Sequence, residues 1–267
     1  MRYRRMLYRS FSLLTYLLFS RHKRGHGIHS PFVYEFITRV LRNKPLPPEL
    51  ERIERIRTAL LQSNEFIWVD DFGSGGQGNA QEKKAVSRIA ATASTRCKYG
   101  RLLYRISRHY KPKKILELGT SLGLGSMYLG MASPDSEILT VDGCEACSGI
   151  AAGNFRELGL DNIRIWKGTF DNILPELLKK LSWIDLVYFD GDHRKDRLLH
   201  YFETALPYTR NESVFIVDDI HWSADMEVAW EQIKKHPKVK ATVDLFQMGI
   251  VFFKKELQKQ NFLVRFL

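Results

Sequence analysis

Cysteine is scarce in this chain: Cys97, Cys144 and Cys147 are the three in 267 residues. So small and odd a number excludes a disulfide framework and favours a reducing compartment. Cys144-x-x-Cys147 has redox or zinc spacing, but no second pair completes a zinc site, and the two read as small residues packing at a helix start. Long apolar runs are missing too. None approaches the roughly 20 residues that a membrane-spanning helix requires. Phe11 to Phe19, behind Met1-Arg-Tyr-Arg-Arg, imitates a signal peptide. Arg9 interrupts it, however, and Phe19-Ser20-Arg21-His22-Lys23-Arg24 offers no small-residue cleavage site. The segment reads as retained and the chain as cytoplasmic.

Acids are almost absent from the first 44 positions. Ten Lys and Arg residues stand there against the single acid Glu35, which accounts for nine of the eleven net positive charges. Such an excess implies an anionic partner. Tyr3, Leu7, Phe11, Leu14, Leu18 and other apolar residues are interleaved with the cations. The preferred reading is a helix packed on the rest of the chain, or on a second subunit in a homodimer, with its basic face in solvent. A basic amphipathic helix on the inner face of an anionic membrane is the second reading. RNA binding is the weakest, because the aromatic residues form no evident stacking platform.

What is present suits one α/β domain plus an extension: 44% hydrophobic residues give an ample core and 27% charged is ordinary. Ser30 before Pro31 marks a helix start. His26 and His29 have no acid beside them and make a weak metal pair. Pro45-Leu-Pro-Pro marks a boundary, after which Glu49 to Gln62 is a helix with Ile53, Ile56 and Leu60 on one face. Asp70-Asp71-Phe-Gly-Ser-Gly-Gly-Gln-Gly reads as a flexible loop that could cover a site, since no apolar helix follows it. Val86 to Tyr110 reads as helix in two pieces, broken near Ser94-Thr95. The expected division is residues 1–94 as basic extension and lid-like loop, and 95–267 as the main domain.

The central stretch runs from Ile115 to Ser126. Pro112 ends the preceding helix, and Ile115, Leu116 and Leu118 form a buried strand. Gly119, Gly123 and Gly125 follow, then an apolar helix, so backbone N–H groups can face a ligand with no side chain in the way. A dinucleotide fingerprint wants Gly-x-Gly-x-x-Gly. Here the spacing is Gly-x-x-x-Gly-x-Gly, and Glu117 ends the strand, where a carboxylate repels pyrophosphate and attracts a cation.

This stretch resembles motif I of the class I S-adenosylmethionine-dependent methyltransferases, and Glu-Leu-Gly-Thr-Ser-x-Gly is similar to their catechol and caffeoyl-CoA O-methyltransferase branch. The resemblance implies that Glu117 holds the methionine end of the cofactor, with Gly119, Thr120, Ser121 and Gly123 at close backbone approach. Asp142, at the tip of the strand Glu137 to Asp142, suits both ribose hydroxyls. Gly168, Thr169 and Phe170 are carried over as adenine neighbours, and Lys98 and Tyr99 as part of a loop over the cofactor. Arg24-Gly-His-Gly-Ile-His-Ser-Pro resembles an N-terminal signature of bacterial methyltransferases of unassigned function.

Two further apolar strands end in acids, Trp183 to Asp190 and Ser213 to Asp219. As parallel neighbours they would bring Asp190, Asp218 and Asp219 to one carboxyl edge, a donor set for Mg²⁺ or a similar ion. Metal-dependent relatives have Asn where this chain has Asp219, which makes the set more negative. Without a metal the clustered carboxylates raise one another's pKa, and one could serve as a base. Asp190 is also counted with the cofactor-binding residues. Asp-Gly-Asp-His looks like the run in macrocin-type O-methyltransferases; His193 is the candidate general base and Lys195 the alternative. His221 and Trp222 are expected to line an acceptor pocket.

Lys240 to Phe246 and Gly249 to Phe253 read as an antiparallel last pair. The expected fold is therefore α/β, a Rossmann-like seven-stranded methyltransferase sheet, mostly parallel with an antiparallel last strand. The expected activity is methyl transfer from S-adenosylmethionine to a hydroxyl of a small acceptor. An NAD(P)-dependent oxidoreductase and a non-catalytic membrane- or RNA-associated module are the rivals.

Overall fold

The computed structural model describes residues 2–22, 25–42, 47–70 and 81–266. The proposed lid loop at 71–80 and Pro45 of the proposed boundary lie outside the described residues. The chain divides into two compact units: Met1–Asn43 with Trp183–Leu267, and Lys44–Ser182.

The first unit begins with α1 (Arg2–Phe19), followed by α2 (Pro31–Glu35), which runs on as a π-helical turn over Phe36–Leu41. Ser30 and Pro31 start α2 as their types require: the Ser30 hydroxyl accepts the Val33 N–H at 3.4 Å and Pro31 sits at a position that needs no donor. Phe36, Ile37, Val40 and Leu41 are buried by the π-turn.

The second unit opens with α3 (Leu50–Gln62), burying Leu50, Ile53, Ile56 and Leu60. An antiparallel hairpin of β1 (Phe66–Asp70) and β2 (Gln81–Ala85) follows. Its second arm, Gln-Glu-Lys-Lys-Ala, lacks the apolar alternation by which a strand is recognised. Next come α4 (Val86–Thr92) and α5 (Cys97–Tyr110), separated where a break is expected. Lys111, left-handed at φ 47°, ends α5 just before Pro112. Then β3 (Lys114–Leu118), α6 (Leu124–Ala132), β4 (Glu137–Asp142), α7 (Glu145–Leu158), β5 (Ile163–Lys167) and α8 (Phe170–Leu181) alternate. The strands β3, β4 and β5 are parallel neighbours. Ile115, Leu116, Leu118, Ile138, Leu139 and Val141 are all buried, the near-continuous apolar pattern of strands covered on both faces.

The first unit resumes with β6 (Ile184–Phe189), α9 (Lys195–Ala205), β7 (Thr209–Val217), α10 (Ala224–Lys235), β8 (Ala241–Asp244), β9 (Gly249–Phe252) and β10 (Gln260–Leu263). Strand β6 runs parallel to β7, and β9 lies antiparallel between β7 and β8, as the α/β methyltransferase pattern requires. The expected seven strands are present. An eighth, β10, pairs parallel with β8 and corrects that number. It escapes notice because Gln-Asn-Phe-Leu is short, half polar and incompletely buried.

Helices α5 and α6 pack closely because Gly100 leaves room for the Tyr128 ring; a Cβ there would lie 2.1 Å from it. The ring cannot swing aside, since its hydroxyl donates to the Glu54 carboxylate of α3. Gly100→Ala therefore sets a helix-propensity gain of about 1 kcal/mol against overpacking of roughly 1–3 kcal/mol. We expect a net loss, read as a lower Tm; an unchanged or higher Tm would mean that the ring is free to move.

Candidate active site

The loop after β3 departs from ordinary backbone three times, at Gly119 (φ 109°), Ser121 (φ 47°) and Gly123 (φ 82°). Gly123 precedes α6, and a Cβ on it would stand 2.6 Å from the Phe155 ring. Only glycine fits there. Asp142 braces the loop from the tip of β4: its Oδ2 accepts the Ser121 N–H at 2.6 Å and its Oδ1 the Cys144 N–H at 2.7 Å. Burial raises the Asp142 carboxyl, opposed by backbone donors of Cys144, Ser121 and Thr120. Each carboxylate oxygen keeps a further lone pair, so the brace leaves Asp142 able to accept hydroxyls.

Glu117, one residue before the end of β3, is 1% exposed. Its Oε2 accepts the Ser126 hydroxyl and, at 2.7 Å, the Thr140 hydroxyl; Thr140 in turn lies 2.6 Å from the Thr120 hydroxyl. Oε1 is buried without a hydrogen-bond partner among the described residues. Burial is the chief cause that pushes the carboxyl up to about 7, with Asp142 adding to it and the Ser126 and Thr140 hydroxyls opposing. A buried carboxyl with one free oxygen is a receptor for a donor, preferably a cationic one.

Gly168 (φ 145°) donates its N–H to the Asp142 carbonyl at 3.0 Å, so the turn after β5 is tied to the tip of β4. Thr169 precedes α8 and half-buried Phe170 begins it. Lys98 reaches over its neighbour Tyr99, Nζ 5.1 Å from the ring centre. Both thiols of Cys144 and Cys147 are free and buried at the start of α7, where Cys144 Sγ accepts the Cys147 N–H at 3.2 Å. That is the expected packing role.

The other unit carries the remaining candidates. Parallel β6 and β7 deliver Asp190 and Asp218 to one edge, where the Tyr188 hydroxyl lies 2.9 Å from Asp190 Oδ2 and 3.2 Å from Asp218 Oδ2. One hydroxyl has one proton, so a carboxyl proton is needed to satisfy both contacts. Burial first, then Asp190 and Asp219, raise the Asp218 carboxyl well above the ordinary range. Asp219, left-handed at φ 52°, turns to His193, Oδ2 to Nε2 3.8 Å. Lys195 instead pairs with exposed Asp196 at 3.4 Å. Among the described residues no group of three or more His, Cys, Asp and Glu side chains is placed to hold a metal ion. With Tyr188 bridging two of its members and the third directed at His193, the Asp190, Asp218 and Asp219 set does not fit Mg²⁺ as it stands.

His221 and Trp222 are committed elsewhere than an acceptor pocket. His221 Nε2 is 2.9 Å from Asp244 Oδ2, its ring stacks on Phe246, and Arg9 of α1 lies 4.4 Å over the Trp222 ring. Three contributors escaped the sequence reading: Ser126, Thr140 and Tyr188. Thr140 left a signal, a hydroxyl inside the buried run Ile-Leu-Thr-Val, where a polar group must find a partner.

Against this geometry, residues 116–220 match the family model described as a methyltransferase domain. The match spans 105 of the 267 residues, and the likeness of the whole chain to Rossmann-like methyltransferases is one of fold. More particularly, the chain is 32% identical over 126 residues to the O-methyltransferase hkm8 of Aspergillus hancockii, covering 45% of this chain and 49% of that protein. It is 27% identical over 124 residues to a catechol O-methyltransferase of Niastella koreensis, covering 45% and 55%. The chain thus spans about half the length of the curated relatives it matches. In fold it is similar to the SAH-bound Podospora anserina methyltransferase PaMTH1, with a TM-score of 0.58 at 16% identity over 85% of this chain and 97% of that one.

Glu117 gives the site a pH signature. Its folded pKa of about 7 lies above the ordinary 4.5, so the folded state holds the proton more tightly than the unfolded state does. The stability it contributes is complete below about 4.5 and falls as pH rises through about 7, by up to about 3 kcal/mol. Glu117→Gln, which cannot ionise, should melt at progressively higher temperature than the parent as pH goes from 6 to 8. A constant difference across that range would place the titration elsewhere.

Proposed function

We propose that this protein transfers a methyl group from S-adenosylmethionine to a hydroxyl oxygen of a small acceptor. The observation that carries the reading is the unpartnered Oε1 of buried Glu117 beside a glycine loop that admits no side chain at Gly123. When bound, the cofactor supplies an electrophilic methyl on a positively charged sulfur. Glu117 offers its free oxygen to the ammonium of the methionine end. Gly119, Thr120, Ser121 and Gly123 let backbone approach closely, Asp142 accepts the ribose hydroxyls, and Gly168, Thr169 and Phe170 border the adenine. A pyrophosphate would meet the charge of Glu117 instead, which disfavours a dinucleotide cofactor.

His193 takes the proton of the acceptor hydroxyl, and Asp219 steadies the cation so formed, at the 3.8 Å separation already present. Lys195 serves less well because Asp196 holds its ammonium. No step runs through a metal. The fold likeness and the names of the matched relatives support this reading: methyltransferase, O-methyltransferase and catechol O-methyltransferase.

Calorimetry with S-adenosylmethionine, S-adenosylhomocysteine and NAD(P)H tests it directly. The first two should bind and the third should not; the reverse result would replace the reading with a nucleotide-linked oxidoreductase. Glu117→Gln should weaken cofactor binding by roughly 10–100-fold, the worth of a charge-assisted hydrogen bond. In a screen of hydroxylated acceptors for S-adenosylhomocysteine release, run with and without Mg²⁺, His193→Ala should lower kcat by roughly 10²–10⁴-fold with cofactor affinity unchanged.

A further inference from the structure

Helix α1 is amphipathic the wrong way round for a helix that only packs on its own protein. Its inward face is rich in hydroxyls. Tyr8 donates to Glu227, the Ser12 hydroxyl lies 3.5 Å from His221 Nδ1, and the Tyr16 hydroxyl donates to the Val264 carbonyl at 2.6 Å and accepts the Phe266 N–H at 2.8 Å. Arg9 stacks on Trp222, and Arg265 reaches the Leu17 carbonyl. These contacts fix the rotation of the helix about its axis. The opposite side then presents Leu7, Phe11, Leu14 and Leu18, spaced i, i+4, i+7 and i+11, at 60%, 71%, 55% and 70% exposure. Phe19, the last residue of the helix, is 63% exposed as well. Large apolar side chains lined up in water, on a helix held by its polar face, call for an apolar environment outside the protein.

Charge selects the occupant. The apolar stripe lies within the 44-residue segment that carries ten cations and one acid. A second copy docking by the same face in a two-fold contact would bring two such segments together, each with nine net positive charges. An anionic bilayer answers both demands, taking the side chains into the headgroup boundary and the cations to its phosphates. No helix among the described residues is long and apolar enough to cross a membrane, so the contact lies in the plane of the surface. We propose that α1 is a surface-binding helix that docks this protein on an anionic lipid bilayer through Leu7, Phe11, Leu14 and Leu18.

The test is co-sedimentation of the full chain with vesicles of phosphatidylcholine alone and with added phosphatidylglycerol, at low and high salt, alongside sizing chromatography. We expect binding to the anionic vesicles that weakens with salt. The triple variant Phe11→Ser, Leu14→Ser, Leu18→Ser should lose it by roughly tenfold or more while keeping the parent Tm, because the changed side chains are already exposed. Exchanging Arg2, Arg4 and Arg5 for Gln, a variant that leaves the apolar stripe intact, should lower binding to anionic vesicles only. Three results would overturn the proposal: no partition into anionic vesicles, a dimer in solution that the triple variant dissociates, or binding of an RNA oligonucleotide in preference to vesicles.

Discussion

A carboxyl group placed where water cannot reach it sets the terms for everything around the glycine loop. Glu117 lies in β3 among the buried Ile115, Leu116 and Leu118, so its environment penalises the charge. Two hydroxyls repay part of that penalty, both at the same oxygen, and the other oxygen stays bare. A protein selected only for stability would fill this place with leucine or supply a third donor. Retaining the carboxyl makes chemical sense if its missing partner arrives with a ligand, because binding then recovers energy that folding left unrecovered.

Asp142 does the complementary work. The left-handed turn at Ser121 and the start of α7 both hang on its two oxygens, and the turn after β5 hangs on its carbonyl. Three loops from three parallel strands therefore converge on one residue. A ligand that hydrogen-bonds the Asp142 side chain would meet a loop already ordered, with less conformational entropy left to lose. Glycine at 123 belongs to the same economy of space: Phe155 of α7 fills the volume that a Cβ would need.

Much of this was legible in the sequence because it depends on local rules. Pro112, the glycine spacing and Ser30-Pro31 each fix backbone geometry within a few residues, and β4, β6 and β7 are apolar runs that lead into the acids Asp142, Asp190 and Asp218. Contacts between residues distant in sequence were not legible. Tyr188 sits in an apolar run, and nothing about it announces that its hydroxyl joins Asp190 to Asp218. His221 and Trp222 follow Asp219 directly and look like site residues, but Asp244, far along the chain, claims the histidine, and Arg9 claims the tryptophan. Strand β10 is defined by its partner β8 more than by its own composition.

The contrast between α1 and α3 shows how such a distinction is decided. Both carry apolar residues at helical spacing, and periodicity alone treats them alike. In α3 the apolar positions Ile53, Ile56 and Leu60 are buried, while Glu51, Arg52 and Arg55 face water and Glu54 and Arg57 turn partly inward. In α1 the register is set by buried Tyr16, whose hydroxyl is bonded at both ends of its capacity, and by the Asp244 carboxylate, which gathers His221 and the Trp230 indole beneath the helix. Turning α1 to bury Leu7, Phe11, Leu14 and Leu18 would break those buried polar contacts, at roughly 1–3 kcal/mol for each group left unsatisfied. The polar contacts therefore win, and the apolar stripe is held outward by the same residues that hold the helix in place.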